Sequence, residues 1–329
     1  MTIPRGKGLI ALLLLVLVAL AVTVAVPQRY MIWYEAWDPA EAPPLLDQVD
    51  EGPGVRWHDD YFTVEALDER TFAIGEPRYY QRNYNYLLLG TERAVLFDAG
   101  PGVRDIRPVA QALTDLPVTF VPSHFHVDHV GNEITFEKVA VIDLPYLRAR
   151  APDNRLQLTD REHLGFHEGV AAPTLEVDEW IAAGDTMQLG DRSLRVLYTP
   201  GHTEDSISLL DLDSGQLFSG DFIYPGPLYA YLPNSGMGDY VQAADTVLNS
   251  APAGVRIHGA HRARSPGAPR LTLADVQDLR VALDAIRSGE LSGDGFYPVR
   301  YRINSRLRLL ADPWWLQNWT PRYPSLATR

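Results

Sequence analysis

"SHFHVDHVGN", residues 123–132, places three histidines and an aspartate in six consecutive positions, His124-x-His126-x-Asp128-His129. The chain has nine histidines in 329 residues. Composition alone would produce this pattern somewhere in it with a probability of order 10⁻³ or less. The apolar run "VTFV" precedes the cluster, which is therefore predicted on a loop leaving the end of a strand. His124 and His126 alternate on the last extended residues and share one face, while Asp128 and His129 lie where the chain turns towards a second centre. One short loop can thus feed two metal ions.

Outward from this loop, "TFAIG", "NYLLLG", "RAVLFDAG" and "VTFVPSH" read as strands, with a helix predicted over "IRPVAQALTDL" between the last two. The result is a strand-helix-strand unit that ends on the histidines. "DTMQLGDRSLRVLYTPGHTEDSISLLDLDSGQLFSGDF" reads as several more strands punctuated by glycine. Thr272 is predicted to cap a helix over 273–288, with Leu273, Val276, Leu279, Leu283 and Ile286 on its apolar face and Gly289 after its last turn. "PVRYRINSRLRLL" alternates as one further strand.

Polar groups recur at the ends of the later strands: His202 in "YTPGHTEDS", Asp221 in "LFSGDF", and either His258 or His261 in "VRIHGAHRA". Each has a neighbouring glycine that lets the backbone approach a metal closely. The spacing in "GAHR" favours His261. His163 and His167, four apart in "EHLGFHE", could mimic a helical zinc pair, but Gly165 weakens that helix and the H-E-x-x-H order is absent.

The ordered set "FDAG", "SHFHVDH", "TPGHT", "SGD" and a late "GAH" resembles the metallo-β-lactamase superfamily over about Trp57 to Arg264. The resemblance implies an α/β fold, a four-layer αββα sandwich with a dinuclear centre, usually zinc, at one edge of its two sheets. By position, His124, His126 and His202 would hold the first metal, and Asp128, His129 and the late histidine the second. Asp221 would bridge both, and Asp98 would support the ligand loop. Ser123 stands where many members carry threonine. Iron or manganese remain alternatives to zinc.

Two cations held by imidazoles and carboxylates bring a bridging water to near-neutral pKa and polarise a carbonyl, which points to a metallohydrolase, with Asp128 orienting the water or taking its proton. The absence of cysteine excludes lactamase subclasses with a cysteine ligand, and a bridging aspartate is foreign to true lactamases. The members that hydrolyse esters, thioesters or lactones, like the glyoxalase II and lactonase branches, remain the leading expectation. Tyr224 follows Asp221 by three residues, the spacing at which lactonases of the superfamily carry a carbonyl-binding tyrosine; Tyr229 and Tyr231 are further candidates. The rival readings are a β-lactamase, a mononuclear-iron persulfide dioxygenase using His124, His202 and Asp221, and a non-catalytic metal-binding envelope protein.

A net charge of −13 without a Lys/Arg-rich run argues against nucleic-acid partners and for a small-molecule substrate. Arg5 and Lys7 precede the apolar run Leu9 to Val26, so residues 1–28 are expected to be a membrane anchor, with a signal cleaved after Ala19-Leu20-Ala21 as the alternative. The flanking charges leave the amino end cytoplasmic and the catalytic domain outside, in the periplasm if the source is bacterial. An acidic Pro/Gly-rich spacer (29–56), the catalytic domain (57–311) and an aromatic tail (312–329) with Trp314, Trp315 and Trp319 complete the expected organisation.

Overall fold

The computed structural model describes residues 5–25, 44–132, 136–263 and 266–326. Among the described residues, eighteen strands run in chain order: β1 (Val55–Trp57), β2 (Thr63–Asp68), β3 (Thr71–Glu76), β4 (Asn83–Leu89), β5 (Ala94–Phe97), β6 (Val118–Val121), β7 (Lys138–Ile142), β8 (Arg155–Gln157), β9 (Thr174–Glu176), β10 (Glu179–Ile181), β11 (Thr186–Gln188), β12 (Ser193–Tyr198), β13 (Ile207–Asp211), β14 (Gln216–Gly220), β15 (Gly226–Ala230), β16 (Arg256–Gly259), β17 (Val299–Arg302) and β18 (Leu307–Ala311). The helices are α1 (Arg5–Ala25), α2 (Arg107–Gln111), α3 (Val127–Val130), α4 (Pro145–Arg148), α5 (Asp160–His163), α6 (Met237–Ser250) and α7 (Leu273–Ser288).

Two large sheets carry the fold. The first is ordered β1-β2-β3-β4-β5-β6-β7-β10 and the second β11-β12-β13-β14-β16. All four residues of β5 are buried, as expected of a strand covered on both faces. One apolar core joins residues of both sheets, among them Leu87, Leu96, Val196 and Phe218, and takes in Val109 from α2 and Leu147 from α4. A second core lies between the second sheet and helices α6 and α7, through Leu210, Ile257, Val247 and Leu279. These cores give the α/β layering. Buried Arg192 joins the sheets by donating to Asp211 on β13, to the Leu89 carbonyl and to Thr71 Oγ1.

The strand-helix-strand unit forms with β5 and β6 parallel, Ala94 opposite Val118. The helix between them covers only 107–111, because its C-cap at Ala112 breaks into turns before Asp115. The Thr272 helix has its capping box with Asp275 and a left-handed Gly289 at φ +80°. A correction concerns "PVRYRINSRLRLL", which is a hairpin rather than one strand. Asn304 Oδ1 accepts the N–H groups of Arg306 and Leu307, folds the chain back and pairs Arg302 with Arg308.

Of the expected anchor, α1 (Arg5–Ala25) is described, with its side chains described over residues 8–21. No helix among the described residues is long and apolar enough to cross a membrane. The rest of the expected segment lies outside the described residues. Part of the stretch read as spacer joins the domain: Glu51 is buried against Arg262, and β1 starts at Val55. In the tail, Trp319 packs on the second core and Arg322 binds Asp239, while Trp314 and Trp315 are exposed.

Asp205 is buried in the loop after β12, beside Glu162 and Glu204. Burial, then those two charges, push its carboxyl up to about 8. A folded-state pKa above the unfolded value of about 3.8 favours folding below that value, and the contribution is lost as pH rises through about 8. Asp205→Asn is therefore expected to flatten the fall in stability between about pH 4 and pH 8. Denaturant midpoints across that range check it; an unchanged slope would remove Asp205 as its source.

Candidate metal centre

The ligand candidates leave the carboxyl ends of strands from both sheets. The β6 strand stops at Val121, and the chain passes through Ser123 to His126, which caps α3 in extended geometry and sets Asp128 and His129 on its first turn. His202 follows β12, Asp221 follows β14 and His261 follows β16. A backbone bridge from Asn83 to His261 and the bond from Tyr84 N–H to the Ala260 carbonyl bring the two sheets together at this edge.

All seven side chains converge, and all are buried. Within the first group, His126 Nδ1 lies 3.0 Å from both His124 Nε2 and His202 Nε2. In the second, Asp128 Oδ2 lies 3.4 Å from His129 Nε2 and 3.4 Å from His261 Nε2. Asp221 spans the two: Oδ2 is 3.4 Å from His202 Nε2, and Oδ1 is 3.1 Å from His261 Nε2. Three nitrogens around one tetrahedral zinc would stand about 3.3 Å apart, close to the first tripod. His129 Nε2 and Asp221 Oδ1 are buried without hydrogen-bond partners among the described residues, which a bound cation would resolve. The donor set is nitrogen and oxygen only, which suits zinc, iron or manganese. His258 lies elsewhere, stacked on Phe218 with Nδ1 3.3 Å from the Pro269 carbonyl.

Supporting contacts fix which ring nitrogen faces the centre. Asp98, held at φ +66° just after β5, takes the Ser123 N–H on Oδ1 at 2.6 Å and His129 Nδ1–H on Oδ2 at 2.9 Å. His202 Nδ1 donates to the Tyr229 carbonyl and His261 Nδ1 to the Gln81 carbonyl, leaving both Nε2 atoms inward. Asn83 Nδ2 donates to the Asp128 carbonyl and to its carboxylate. The glycines beside the ligands answer to packing within the protein. A Cβ on Gly220 would meet Ser123 Cβ at 2.5 Å, and one on Gly201 would meet the Tyr240 ring at 2.5 Å.

The cluster's own charges divide it. Burial, then the neighbouring imidazoles, hold His124 and His126 well below the usual histidine range. Burial penalises the charge on His129 too, yet Asp128, Asp98 and Asp221 hold it well above that range. Asp221 is also penalised by burial, but His261 and His129 bring it down to about 2. The carboxylates thus create a place that favours positive charge, which a divalent metal would supply.

A cavity of about 240 Å³ opens onto His126, Asp128, His202 and Asp221. Tyr224 and Tyr229 line it, as do His167 and Glu168. The Tyr224 hydroxyl donates to the Pro227 carbonyl at 2.7 Å. His163 is buried behind the wall, and burial brings it down to about 4. Sequence reasoning missed Glu168, which accepts from the Tyr79 and Tyr80 hydroxyls, and Asn83. No motif marks these residues. Only the strand pairing that brings β4 to the His261 loop would have found Asn83.

Residues 80–284 match the model of the Metallo-beta-lactamase superfamily. The chain is 31% identical over 217 residues to the acyl-coenzyme A thioesterase MBLAC2 of Gallus gallus, covering 60% of this chain and 78% of that protein. It is 30% identical over 186 residues to a hydroxyacylglutathione hydrolase of Synechococcus sp. (strain JA-2-3B'a(2-13)), covering 54% and 63%. The solved metallo-beta-lactamase from Pontibacter korlensis shares the fold at a TM-score of 0.51 and 17% identity, over 68% of this chain and 99% of that one.

Because Asp98 orients both the loop backbone and His129, Asp98→Asn is expected to weaken metal binding by roughly 10–100-fold. Competition with a chromophoric chelator measures it, and unchanged affinity would make Asp98 a packing residue.

Proposed function

The chain belongs to the metallo-β-lactamase superfamily and is a hydrolase of it, and from that premise we propose that it cleaves a carbonyl ester, thioester or lactone at a dinuclear metal centre. The observation that carries this reading is Asp221, whose two oxygens face the two histidine groups separately. His124, His126 and His202 would hold one ion, Asp128, His129 and His261 the other. When bound, the ions supply an activated water and polarise the substrate carbonyl.

The remaining roles fall to the chain itself. Asp128, anchored by Asn83 through backbone and carboxylate, is placed to orient the attacking water and accept its proton. Two tyrosines, Tyr224 and Tyr229, line the cavity over the centre. The Tyr224 hydroxyl, expected from its spacing to bind the substrate carbonyl, is committed to Pro227. No hydrogen bond to the Tyr229 hydroxyl is found among the described residues, so Tyr229 is the better placed donor to a developing oxyanion. The thioesterase and glutathione-thioester relatives support the thioester among the three bond types. We also propose α1, whose leucines are exposed, as a membrane anchor for an extracytoplasmic domain.

Protein purified without chelators should carry at least one equivalent of zinc, iron or manganese by elemental analysis and turn over members of an ester, thioester and lactone panel. Asp221→Ala should lower both metal content and turnover, the latter by more than the roughly 100-fold typical of an outer partner. Retained turnover would overturn its bridging role. Tyr229→Phe is expected to lower kcat by roughly 10²-fold with metal content intact, and Tyr224→Phe to lower it less. The reverse order would return the carbonyl contact to Tyr224.

A further inference from the structure

A three-stranded sheet, ordered β15-β18-β17, stands apart from the two large ones. Its inner face, with Leu228, Tyr301, Leu307 and Leu309, closes the second core. Its outer face follows from the register, because residues directly opposite in a sheet point the same way. Tyr229 is opposite Leu310, Leu310 opposite Arg300, and Arg308 opposite Arg302. One surface therefore runs from the cavity-lining Tyr229 to three exposed arginines.

Aromatic rings extend this surface from the same cavity. Tyr229 lies 6.0 Å from Tyr231, and Tyr231 lies 5.7 Å from Tyr297. The preceding residue, Phe296, is 74% exposed and lies 5.9 Å from Trp315, which lies 5.8 Å from Trp314, itself 76% exposed. These three exposed rings gather where β17 begins and β18 ends, since Val299 is paired with Ala311. No side-chain ion pair of Arg300, Arg302 or Arg308 is found among the described residues. Asp294, bridged to Arg300 through the backbone, and Asp312, just after β18, offset two of the three arginine charges, and the strip keeps an excess of one positive charge. In a chain of net charge −13 that strip is a local reversal of sign.

We propose that this outer face, with Trp314, Trp315 and Phe296 at its end, docks on an anionic phospholipid bilayer and opens the metal cavity to amphiphilic acyl substrates held there. Tryptophan and phenylalanine suit the boundary between headgroups and acyl chains, and arginine pairs with anionic headgroups while its stem lies along apolar surface. The exposed apolar helix α1 on the same chain selects a bilayer over other partners for such a face. Substrates would enter along the ring series, the acyl chain lying on Phe296, Tyr297 and Tyr231 and the carbonyl reaching Tyr229. This route rests on the hydrolase reading; the docking itself does not.

The test uses the full metal-loaded chain in vesicles of phosphatidylcholine with or without phosphatidylglycerol, whose acyl chains carry bromine as a fluorescence quencher. The proposal expects Trp314 and Trp315 to contribute quenching that W314F/W315F removes. Replacing Arg300, Arg302 and Arg308 by Gln should lower the docked fraction by roughly five-fold per arginine in the anionic vesicles only. Both variants should hydrolyse a short water-soluble thioester like the parent and lose turnover of a long-chain thioester embedded in the vesicle. Quenching and long-chain turnover unchanged in both variants would overturn the proposal, as would light scattering that shows a dimer broken by the same substitutions, which would give the face to a second copy. If no thioester, ester or lactone is turned over while quenching behaves as stated, the hydrolase reading fails and the docking face stands.

Discussion

The Asp98 carboxylate is the contact on which the site depends. It leaves β5 in a left-handed conformation, reaches across to the neighbouring parallel strand, and fixes both a backbone N–H and an imidazole of the histidine loop. A buried carboxylate is costly unless its oxygens are used, and here both are. The loop carries four of the seven ligand candidates, so their directions follow from this bond. The same group raises the negative potential around His129, so one residue supplies both orientation and part of the field that a cation would answer.

The outer partners of His202 and His261 are backbone carbonyls, from Tyr229 and Gln81. Carbonyls of this kind are set by strand and loop position, so the imidazole tautomers depend on the sheets being in register. The rigidity of the site therefore comes from the scaffold, including the Arg192 network that holds one sheet to the other.

The site was legible in the sequence where its residues are contiguous or carry a motif. The histidine cluster sits on a strand-end loop, and His202 and Asp221 follow their strands as the glycine punctuation suggested. Of the two late histidines, His261 reaches the centre because β16 ends at Gly259, while His258 still points into the core. What could not be read depends on partners far apart in the chain. Glu168 meets Tyr79 and Asn83 meets Asp128 only after the sheets assemble. The glycines beside His202 and Asp221 were assigned to metal approach, whereas Tyr240 and Ser123 are what they accommodate. The C-terminal hairpin was hidden by an alternation that runs through Ile303 without a glycine or proline to mark the turn.

The seam between the sheets has one more consequence. His129 belongs to the loop after β6 and His261 to the loop after β16, and the chain between them contains every strand of the second sheet. An ion held by both would close that long loop much as a disulfide would, limiting the open chain more than it would add contacts to the closed one. In a protein without a single cysteine, such an ion would double as a cross-link, one that would form in either redox environment and be removed by a chelator rather than a reductant.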